Sequence, residues 1–280
     1  RKLGHDVALV PLATHGDQDR DAPLGKIGGE GVFTKELQRA LLRDEIDLAV
    51  HSLKDLPTEP VDGLELGAIP PRASTADALV SDKWPALAEL PPGAAIGTGS
   101  LRRSAQLWHV RPDLRMLDIR GNVDTRLRKL ADGEYDALIL AEAGLQRLGL
   151  DQHISEILPD TVMLPAVGQG ALGIEIRSAN TELRSLLAPL DHAPTRAAVA
   201  AERSLLAALR GGCMAPVGAK GTVDGGQLNL RGVVLSSDGS VRLEAQQIGS
   251  PNDAETIGRL AADDLLAQGA AELIAAARGP

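Results

Sequence analysis

Aromatic residues and cysteines are scarce in this sequence, and each scarcity excludes something. The aromatic residues make up only 1% of the chain, as Phe33, Trp84, Trp108 and Tyr135, so the core must be built from Leu, Val, Ile and Ala. Cys213 is the one cysteine, which rules out an internal disulfide and a metal site made of several cysteines. A single thiol fits a reducing compartment such as the cytoplasm, and no signal peptide is visible.

Other features are absent as well. No apolar run reaches the length of a membrane span, and the six histidines lack the spacing of metal ligands. The net charge is −9, which argues against a general nucleic-acid-binding protein because phosphate contacts require a basic face. We therefore expect no membrane, no nucleic acid and no metal among the partners of this protein.

Apolar strand-like runs alternate with helix-like periods through the first two thirds of the chain. The predicted strands cover residues 7–12, 46–50, 64–69, 94–97, 114–119 and 137–140. The predicted helices cover residues 34–43, 101–110, 123–131 and 195–210. This alternation predicts an α/β fold with parallel sheets covered by helices on both faces. In such sheets, ligands bind at the carboxyl ends of the strands.

The pattern changes after Gly211. Residues 216–223, 227–235 and 242–248 are predicted to form three strands joined by turns rich in Gly and Asp. A long helix rich in Ala and Leu follows at about residues 253–277. This part of the chain therefore predicts a small α+β domain of its own.

Two segments place polar residues at predicted strand ends. Lys54 and Asp55 follow strand 46–50, where Asp55 would serve as an acid, a base or a stabiliser of a cation; a solvated loop with a surface ion pair is the alternative.

The run from Gly97 to Arg103 predicts an anion site, in which Ser100 begins a helix with free N–H groups. Arg102 would stand in the first turn with Arg103, where the helix dipole disfavours cations. A bound anion would compensate for this, and a charged surface is the alternative.

Further arginines follow successive predicted strands. Arg120, Arg126 and Arg147 lie after strands 114–119 and 137–140. Because guanidinium groups bind carboxylates in a bidentate manner, this placement favours a small molecule with several carboxylates.

The glycine-rich segment 25–33 fits either a mobile lid or an ordinary loop. Cys213, which follows Gly211 and Gly212 at a helix end, fits either a covalent attachment point or a buried structural thiol.

Taken together, these motifs resemble the porphobilinogen deaminase (hydroxymethylbilane synthase) family over essentially the whole chain. The similar segments are residues 25–33, 51–57, 97–103, 118–126, 134–150, 164–175 and 210–218. The resemblance implies a transferase that joins four porphobilinogens head to tail, with loss of ammonia, to give the linear tetrapyrrole hydroxymethylbilane. It also implies a dipyrromethane cofactor and a monomer. A non-catalytic two-lobed binder of a polycarboxylate, or an inactive relative, is the alternative.

The resemblance also implies roles for individual residues. Asp55 matches the catalytic aspartate, which helps to protonate the departing amine and stabilises the azafulvene cation, and Cys213 matches the point of thioether attachment. The residues that match cofactor-binding groups are Lys26, Lys54, Thr98, Ser100, Arg102 and Arg103. The residues that match groups near substrate or growing chain are Phe33, Arg120, Arg126, Arg147 and Gln169.

The family fold implies two lobes similar to periplasmic binding proteins, with a cleft between them, and a third domain that carries the cysteine. The implied domains are residues 1–70 with 171–190, residues 71–170, and residues 191–280. Three departures stand out. Glu30 stands where a basic residue is common in the family, His15 occupies a loop position that often differs among relatives, and the family's first strand and helix have no counterpart, because strand 7–12 matches its second strand. We therefore expect a chain with an incomplete first lobe and impaired activity.

Overall fold

The computed structural model describes residues 4, 6–12, 34–212 and 215–278. Three separate β-sheets organise these residues. The strands, in chain order, are β1 (Leu48–Ser52), β2 (Leu64–Ala68), β3 (Asp77–Val80), β4 (Ala95–Gly97), β5 (Arg115–Leu117), β6 (Ala137–Ala141), β7 (Glu156–Ile157), β8 (Leu172–Arg177), β9 (Val217–Asp224), β10 (Gln227–Leu235) and β11 (Arg242–Gly249). The α-helices are α1 (Lys35–Leu42), α2 (Leu101–Val110), α3 (Val123–Ala131), α4 (Glu142–Leu148), α5 (Thr181–Leu187), α6 (Ala193–Ala208), α7 (Ala254–Ala267) and α8 (Ala270–Ala277).

The first lobe contains a three-stranded sheet in the order β1-β8-β2. The central strand β8 is antiparallel to both neighbours. Helix α1 covers one face, where Leu41 packs with Ala49 and Leu64. Helix α5 covers the other face, where Leu187 packs with Ile176. The sheet is therefore buried on both faces by apolar side chains, as an α/β lobe requires.

The second lobe contains a five-stranded sheet in the order β5-β4-β6-β3-β7. Strand β4 is parallel to β5 and β6, whereas β3 is antiparallel to β6 and β7. Local signals start its helices: the Asn122 side chain caps α3 by accepting a hydrogen bond from the backbone N–H of Thr125, at 2.9 Å. The carboxyl ends of β4 and β5 lead into α2 and towards α3, so the Arg-bearing turns lie at one edge of the sheet.

The third sheet is an antiparallel meander in the order β11-β10-β9. Helices α6 and α7 cover one face, where Leu205 and Leu265 pack with Leu230. On β10, Val233 and Leu235 pack against the second lobe. The third domain is thus held between its own helices and the neighbouring lobe.

The structure confirms the predicted fold class of α/β lobes with a small α+β domain. It also corrects the expectation of parallel sheets, because β3, β7 and β8 run antiparallel to their neighbours. These three strands were not predicted, and the direction in which a strand pairs depends on how the chain connects it to its neighbours rather than on its own residues. None of the described helices has the length and apolar character needed to cross a membrane.

Two predicted elements are wrong in detail. Residues 7–12 do not form a strand: Val7, Leu9 and Val10 are 68%, 92% and 55% exposed, and no described strand pairs with them. An apolar run becomes a strand only where a neighbour supplies hydrogen bonds. The single helix predicted at 253–277 is divided at Gly269, whose φ of 101° lies in the left-handed region and ends the first helix.

Candidate active site

The turn after β1 carries the predicted catalytic residue. Its backbone is fixed by two hydrogen bonds, from Asp55 N to the Ser52 carbonyl oxygen and from Leu53 N to the Ala171 carbonyl oxygen, both 3.0 Å. The Asp55 side chain keeps contact with solvent, yet the surrounding protein shields it enough that desolvation raises the pKa of Asp55, with Lys54 opposing the shift. The turn therefore presents a carboxyl group with an increased proton affinity.

Lys54 connects this turn electrostatically to the second lobe. Burial lowers the pKa of Lys54, and the nearby Asp55 opposes that shift. Arg103 and Arg102, both on α2, lower the pKa of Lys54 further, while Asp77 raises it. Because such effects fall off with distance, the first-lobe turn and the start of α2 face one another.

Arg102 and Arg103 are buried, with 4% and 7% of their surfaces exposed. Both bind Asp77 on β3, which is fully buried: Arg102 Nη1 lies 2.8 Å from Oδ2, and Arg103 Nη2 lies 2.7 Å from Oδ1. Their remaining bonds include those to the carbonyl oxygens of Leu164, at 2.7 Å, and Ile139, at 2.9 Å. The anion expected to compensate these arginines in the first turn is thus supplied, at least in part, by the protein itself.

Burial is the largest single influence on the pKa of Asp77 and raises it, but the combined charge and hydrogen bonds of Arg102 and Arg103 outweigh burial and hold that pKa well below its usual range. Burial in turn lowers the pKa of Arg102, and Asp77 opposes that shift. Nε and Nη2 of Arg102 make no hydrogen bond to another described residue. The pair with Asp77 therefore fixes one side of the Arg102 guanidinium group at the start of α2.

The turn between β4 and α2 brings backbone and hydroxyl groups to the same edge. Thr98 is buried, and its Oγ1 accepts a hydrogen bond from Ser100 N at 3.2 Å. Ser100 occupies the N-cap position of α2, as predicted, and its side chain makes no capping bond. A Cβ at Gly99 would lie 2.9 Å from Asp118 Oδ1, so glycine is needed for this close approach.

Arg120 and Arg126 extend the positive surface from the next turn. Arg120 Nε donates to Asp118 Oδ2 at 3.1 Å, and Arg126 Nε donates to the Gly121 carbonyl oxygen at 2.8 Å. Burial lowers the pKa of Arg126, and the positive charges of Arg103 and Arg120 lower it further. Arg126 therefore lies close to both other arginines and joins the two turns.

These groups form one cation cluster with excess positive charge. Its five cations are Lys54, Arg102, Arg103, Arg120 and Arg126, and the carboxylates among them are the three of Asp55, Asp77 and Asp118. Burial is the main cause of the lowered pKa of Lys54 and of Arg126, and repulsion from the positive charge of Arg103 lowers both further. A ligand with several carboxylates would relieve this repulsion, so the donor set fits a polycarboxylate such as a dipyrromethane.

The other predicted site residues have different positions. Arg147 is exposed and donates from Nη2 to the Gly170 carbonyl oxygen at 2.8 Å, at the segment that returns to the first lobe. Gln169 is buried in that segment and donates from Nε2 to Asp77 Oδ1 at 3.0 Å, so it contacts the carboxylate behind the cluster. Lys26, Phe33 and Cys213 lie outside the described residues, as do Glu30 and His15.

Sequence reasoning missed Asp77. It stands in the otherwise apolar run Ala76-Asp77-Ala78-Leu79-Val80, and a carboxylate in a buried run requires a charged or hydrogen-bonding partner. That signal was available. The identity of the partners could not be predicted from it, because Arg102 and Arg103 lie about 25 residues further along the chain.

Comparisons with solved structures find weak matches at low sequence identity. Lipoprotein Tp32 from Treponema pallidum matches with a TM-score of 0.39 and 13% identity, covering 56% of this chain and 75% of that one. A periplasmic substrate-binding protein of an ABC transporter from Coxiella burnetii matches with a TM-score of 0.38 and 16% identity, covering 59% and 79%. At these scores the likeness carries no argument.

Comparisons of sequence are far more specific. Residues 1–185 match the family model described as porphobilinogen deaminase, dipyromethane cofactor binding domain, and residues 196–267 match the model of the porphobilinogen deaminase C-terminal domain. The porphobilinogen deaminase of Desulforudis audaxviator is 52% identical over 95% of this chain and 86% of its own length. That of Pelotomaculum thermopropionicum is 50% identical over 98% and 88%. With these matches along nearly its whole length, the chain belongs to the porphobilinogen deaminase family.

Proposed function

We propose that the Lys54–Asp55 turn and the cation cluster opposite it carry out the family reaction in this chain. The reaction polymerises porphobilinogen into hydroxymethylbilane and uses a dipyrromethane cofactor. The observation that supports the residue assignment is the position of the Asp55 carboxyl group, whose pKa is raised by partial desolvation, beside a cluster with excess positive charge. There the cations would bind the carboxylates of the substrate, and the Asp55 carboxyl group would act on its amine.

The cofactor would be held at the turn after β4. When bound, the dipyrromethane supplies the pyrrole end on which the new chain is built. Arg102, Arg103 and Lys54 would hold its carboxylates, with Thr98 and Ser100 at the same turn. We propose that Cys213 carries the thioether. Its predicted place after a helix C-terminus, where the dipole does not lower a thiol pKa, suits a sulfur that is alkylated once and retained.

Asp55 would act on the incoming porphobilinogen. Because desolvation raises its pKa, the carboxyl group holds a proton to a higher pH than an ordinary aspartate and can assist departure of the amine. In its ionised form it would stabilise the positive charge that remains on the pyrrole after ammonia leaves. Arg120 and Arg126 would bind the substrate carboxylates and orient the ring, and we place Arg147, Phe33, Lys26 and Gln169 around the same substrate path.

Replacement of Asp55 by Asn tests the assignment directly. Asn keeps the shape but loses the charge and the proton affinity, so we expect kcat per cofactor-loaded molecule to fall by at least about 10²-fold. The fold should not weaken at pH 7, because a raised pKa means that the ionised carboxylate is disfavoured in the folded protein relative to the unfolded chain. Release of ammonia and formation of hydroxymethylbilane would be measured, with cofactor loading determined by intact mass.

Two further arms complete that experiment. Cys213→Ala should remove the covalent adduct from the mass spectrum and abolish turnover. Asp118→Asn, at an exposed carboxylate of the same cluster, should reduce kcat much less than Asp55→Asn. Near-normal turnover of Asp55→Asn with cofactor present would remove Asp55 from the mechanism, and an adduct that survives denaturation in Cys213→Ala would relocate the attachment.

We also propose that the protein acts as a cytoplasmic monomer that does not bind nucleic acid. A lone cysteine that must stay reduced until it is alkylated favours a reducing compartment, and the net charge of −9 disfavours contact with phosphate backbones. Analytical ultracentrifugation of the loaded protein would test the monomer. A concentration-dependent increase in mass would contradict it.

A further inference from the structure

An arginine of the third domain holds the backbone of the proposed catalytic turn. Arg203 on α6 donates from Nη1 to the carbonyl oxygen of Leu56 at 2.9 Å and from Nη2 to that of Pro57 at 2.6 Å. These carbonyl groups belong to the two residues that follow Asp55. One turn earlier on the same helix, Val199 packs in the buried cluster that contains Leu56. The turn is therefore attached to α6 by both apolar and polar contacts.

A buried carboxylate of the first lobe supports this arrangement. Burial lowers the pKa of Arg203, and the negative charge of Glu175 opposes that shift, so the two groups lie close together. Glu175 Oε2 lies 2.9 Å from His51 Nε2, and its Oε1 accepts a hydrogen bond from Gln38 Nε2 at 3.0 Å. His51 stands at the end of β1. Glu175 thus stabilises both the strand that leads into the turn and the arginine that holds the turn from the other side.

Helix α6 also leads towards the proposed attachment point. It ends at Ala208, five residues before Cys213. Arg203 is therefore on the element that connects the covalent anchor with the Asp55 turn. The attached cofactor and the Asp55 carboxyl group must be held in position within a fraction of an ångström, because a displacement of about 1 Å at a reacting group can reduce the rate about 10²-fold.

We propose that Arg203 is a positioning residue, which fixes the Lys54–Asp55 turn relative to α6, the helix that precedes the proposed attachment point in the chain. This inference rests on the proposed function, since it takes Asp55 as catalytic and Cys213 as the attachment point. Arg203 contacts the backbone of the turn and acts through Asp55. Its loss should therefore slow the chemical step without weakening substrate binding.

Arg203→Met tests this role, and Arg177 offers a matched control. Arg177 also donates from one guanidinium group to two carbonyl oxygens, those of Leu41 at 2.8 Å and Ile46 at 2.7 Å, but at the other end of the first lobe. We expect kcat per loaded molecule to fall about 10–100-fold in Arg203→Met, with KM within about twofold of the unaltered protein. Arg177→Met should lower thermal stability and leave kcat per loaded molecule unchanged. Arg203→Lys keeps the charge near Glu175 but loses the fork, so its kcat should be intermediate; it carries the test if the Met variant fails to fold.

A second measurement reports on the turn itself. Hydrogen–deuterium exchange of the full chain, loaded or not, should be at least about tenfold faster for the Leu53 and Asp55 amides in Arg203→Met. Exchange in β6 of the second lobe should not change. The inference is supported only if kcat falls and the turn exchanges faster in the same variant.

Other outcomes overturn it. An unchanged kcat, or a reduced kcat with unchanged exchange at the turn, would show that Arg203 does not act through the position of Asp55. A loss of activity that only follows the loss of cofactor loading would assign Arg203 to assembly of the holoenzyme. Asp55→Asn, measured in parallel, separates failure of the proposed function from failure of the positioning role. If Asp55→Asn remains active, the proposed function fails. If Asp55→Asn is inactive and Arg203→Met is fully active, only the positioning role is overturned.

Discussion

At the scale of single residues, Asp77 is the group on which the cation cluster depends. It is fully buried, and its carboxylate accepts hydrogen bonds from Arg102, Arg103 and Gln169. Two buried guanidinium groups beside one carboxylate are tolerated only while that carboxylate is charged. Asp77 therefore makes it possible to keep two arginines at the start of α2, where the helix dipole opposes them.

Asp77→Asn should be strongly destabilising for this reason. Removal of one partner of a buried ion pair leaves uncompensated charge, and we expect the free energy of unfolding at pH 7 to fall by about 3–5 kcal/mol. The control is Asp113→Asn, because Asp113 pairs with Arg111 at the surface, where 35% of its side chain is exposed; its loss should cost less than about 1 kcal/mol. Urea denaturation would measure both, and equal effects would contradict the assigned role of Asp77.

The same pair predicts a dependence on pH. The arginines hold the pKa of Asp77 below its usual range, so its contribution to stability is complete above the unfolded value of about 3.9 and is lost as pH falls towards the folded pKa. In Asp77→Asn this part of the acid sensitivity should be missing. The difference in stability between the two proteins should therefore narrow on acidification below about pH 4.

At the scale of elements, the segment that returns to the first lobe is held against the outgoing one. Gly170 has a φ of 80°, and a Cβ there would clash with the carbonyl oxygens of Ala73 and Ser74. The Ala73 N–H donates to the Gly170 carbonyl oxygen at 3.2 Å, and Arg147 donates to the same oxygen. The two connections between the lobes thus pack backbone to backbone at this glycine.

Gly170→Ala should therefore lower the stability of the fold by more than the left-handed backbone conformation alone would cause. Gly133 is a matched control, since its φ is 78° but a Cβ there would meet nothing within 4 Å. We expect about 1–2 kcal/mol for Gly133→Ala from the left-handed conformation, and about 1–3 kcal/mol in addition for Gly170→Ala from overpacking. Thermal denaturation of both variants would measure the difference. If the two losses were equal, the close packing of the connections would carry no energetic weight.

At the scale of the whole molecule, Glu202 of α6 joins the three domains. It is fully buried and accepts two hydrogen bonds from Arg72, at 2.6 and 2.9 Å. Its oxygens also accept from the backbone N–H groups of Gly168, at 2.8 Å, and Gly221, at 2.7 Å. Arg72 and Gly168 belong to the two connections between the lobes, and Gly221 belongs to β9. One carboxylate therefore fixes the third domain to the hinge of the other two.

Glu202→Gln should weaken this junction while leaving each domain folded. The variant removes the charge that balances Arg72, and we expect stability to fall by about 3–5 kcal/mol. Trp84 and Trp108 both lie in the second lobe, so their fluorescence follows that lobe alone, whereas far-ultraviolet circular dichroism follows the whole chain. The two denaturation curves should coincide in the unaltered protein and separate in the variant. Glu45→Gln, at an exposed pair with Arg43, should leave them coincident.

Much of the local structure was predictable because its signals are local. The bounds of α2, α3 and β10 agree with the predictions residue for residue, since periodicity and the flanking turn residues all lie within one short window. The strand-end position of Lys54 and Asp55 follows from the same patterns. The division of the chain into 1–70 with 171–190, 71–170 and 191–280 stays a prediction.

The sequence by itself determined the α/β and α+β character of the chain, its family, and the edge of the sheet at which the chemistry is expected. Only the tertiary structure decided which charges meet. Asp77 meets Arg102, Glu202 meets Arg72, and Arg203 meets the turn after Asp55, across separations of 25, 130 and about 147 residues. A local window contains no information about such partners, because a buried ion requires a compensating group nearby in space and any distant segment can supply it. The absence of a strand at residues 7–12 has the same origin, since hydrogen bonds from a neighbour, rather than apolar content, make a strand.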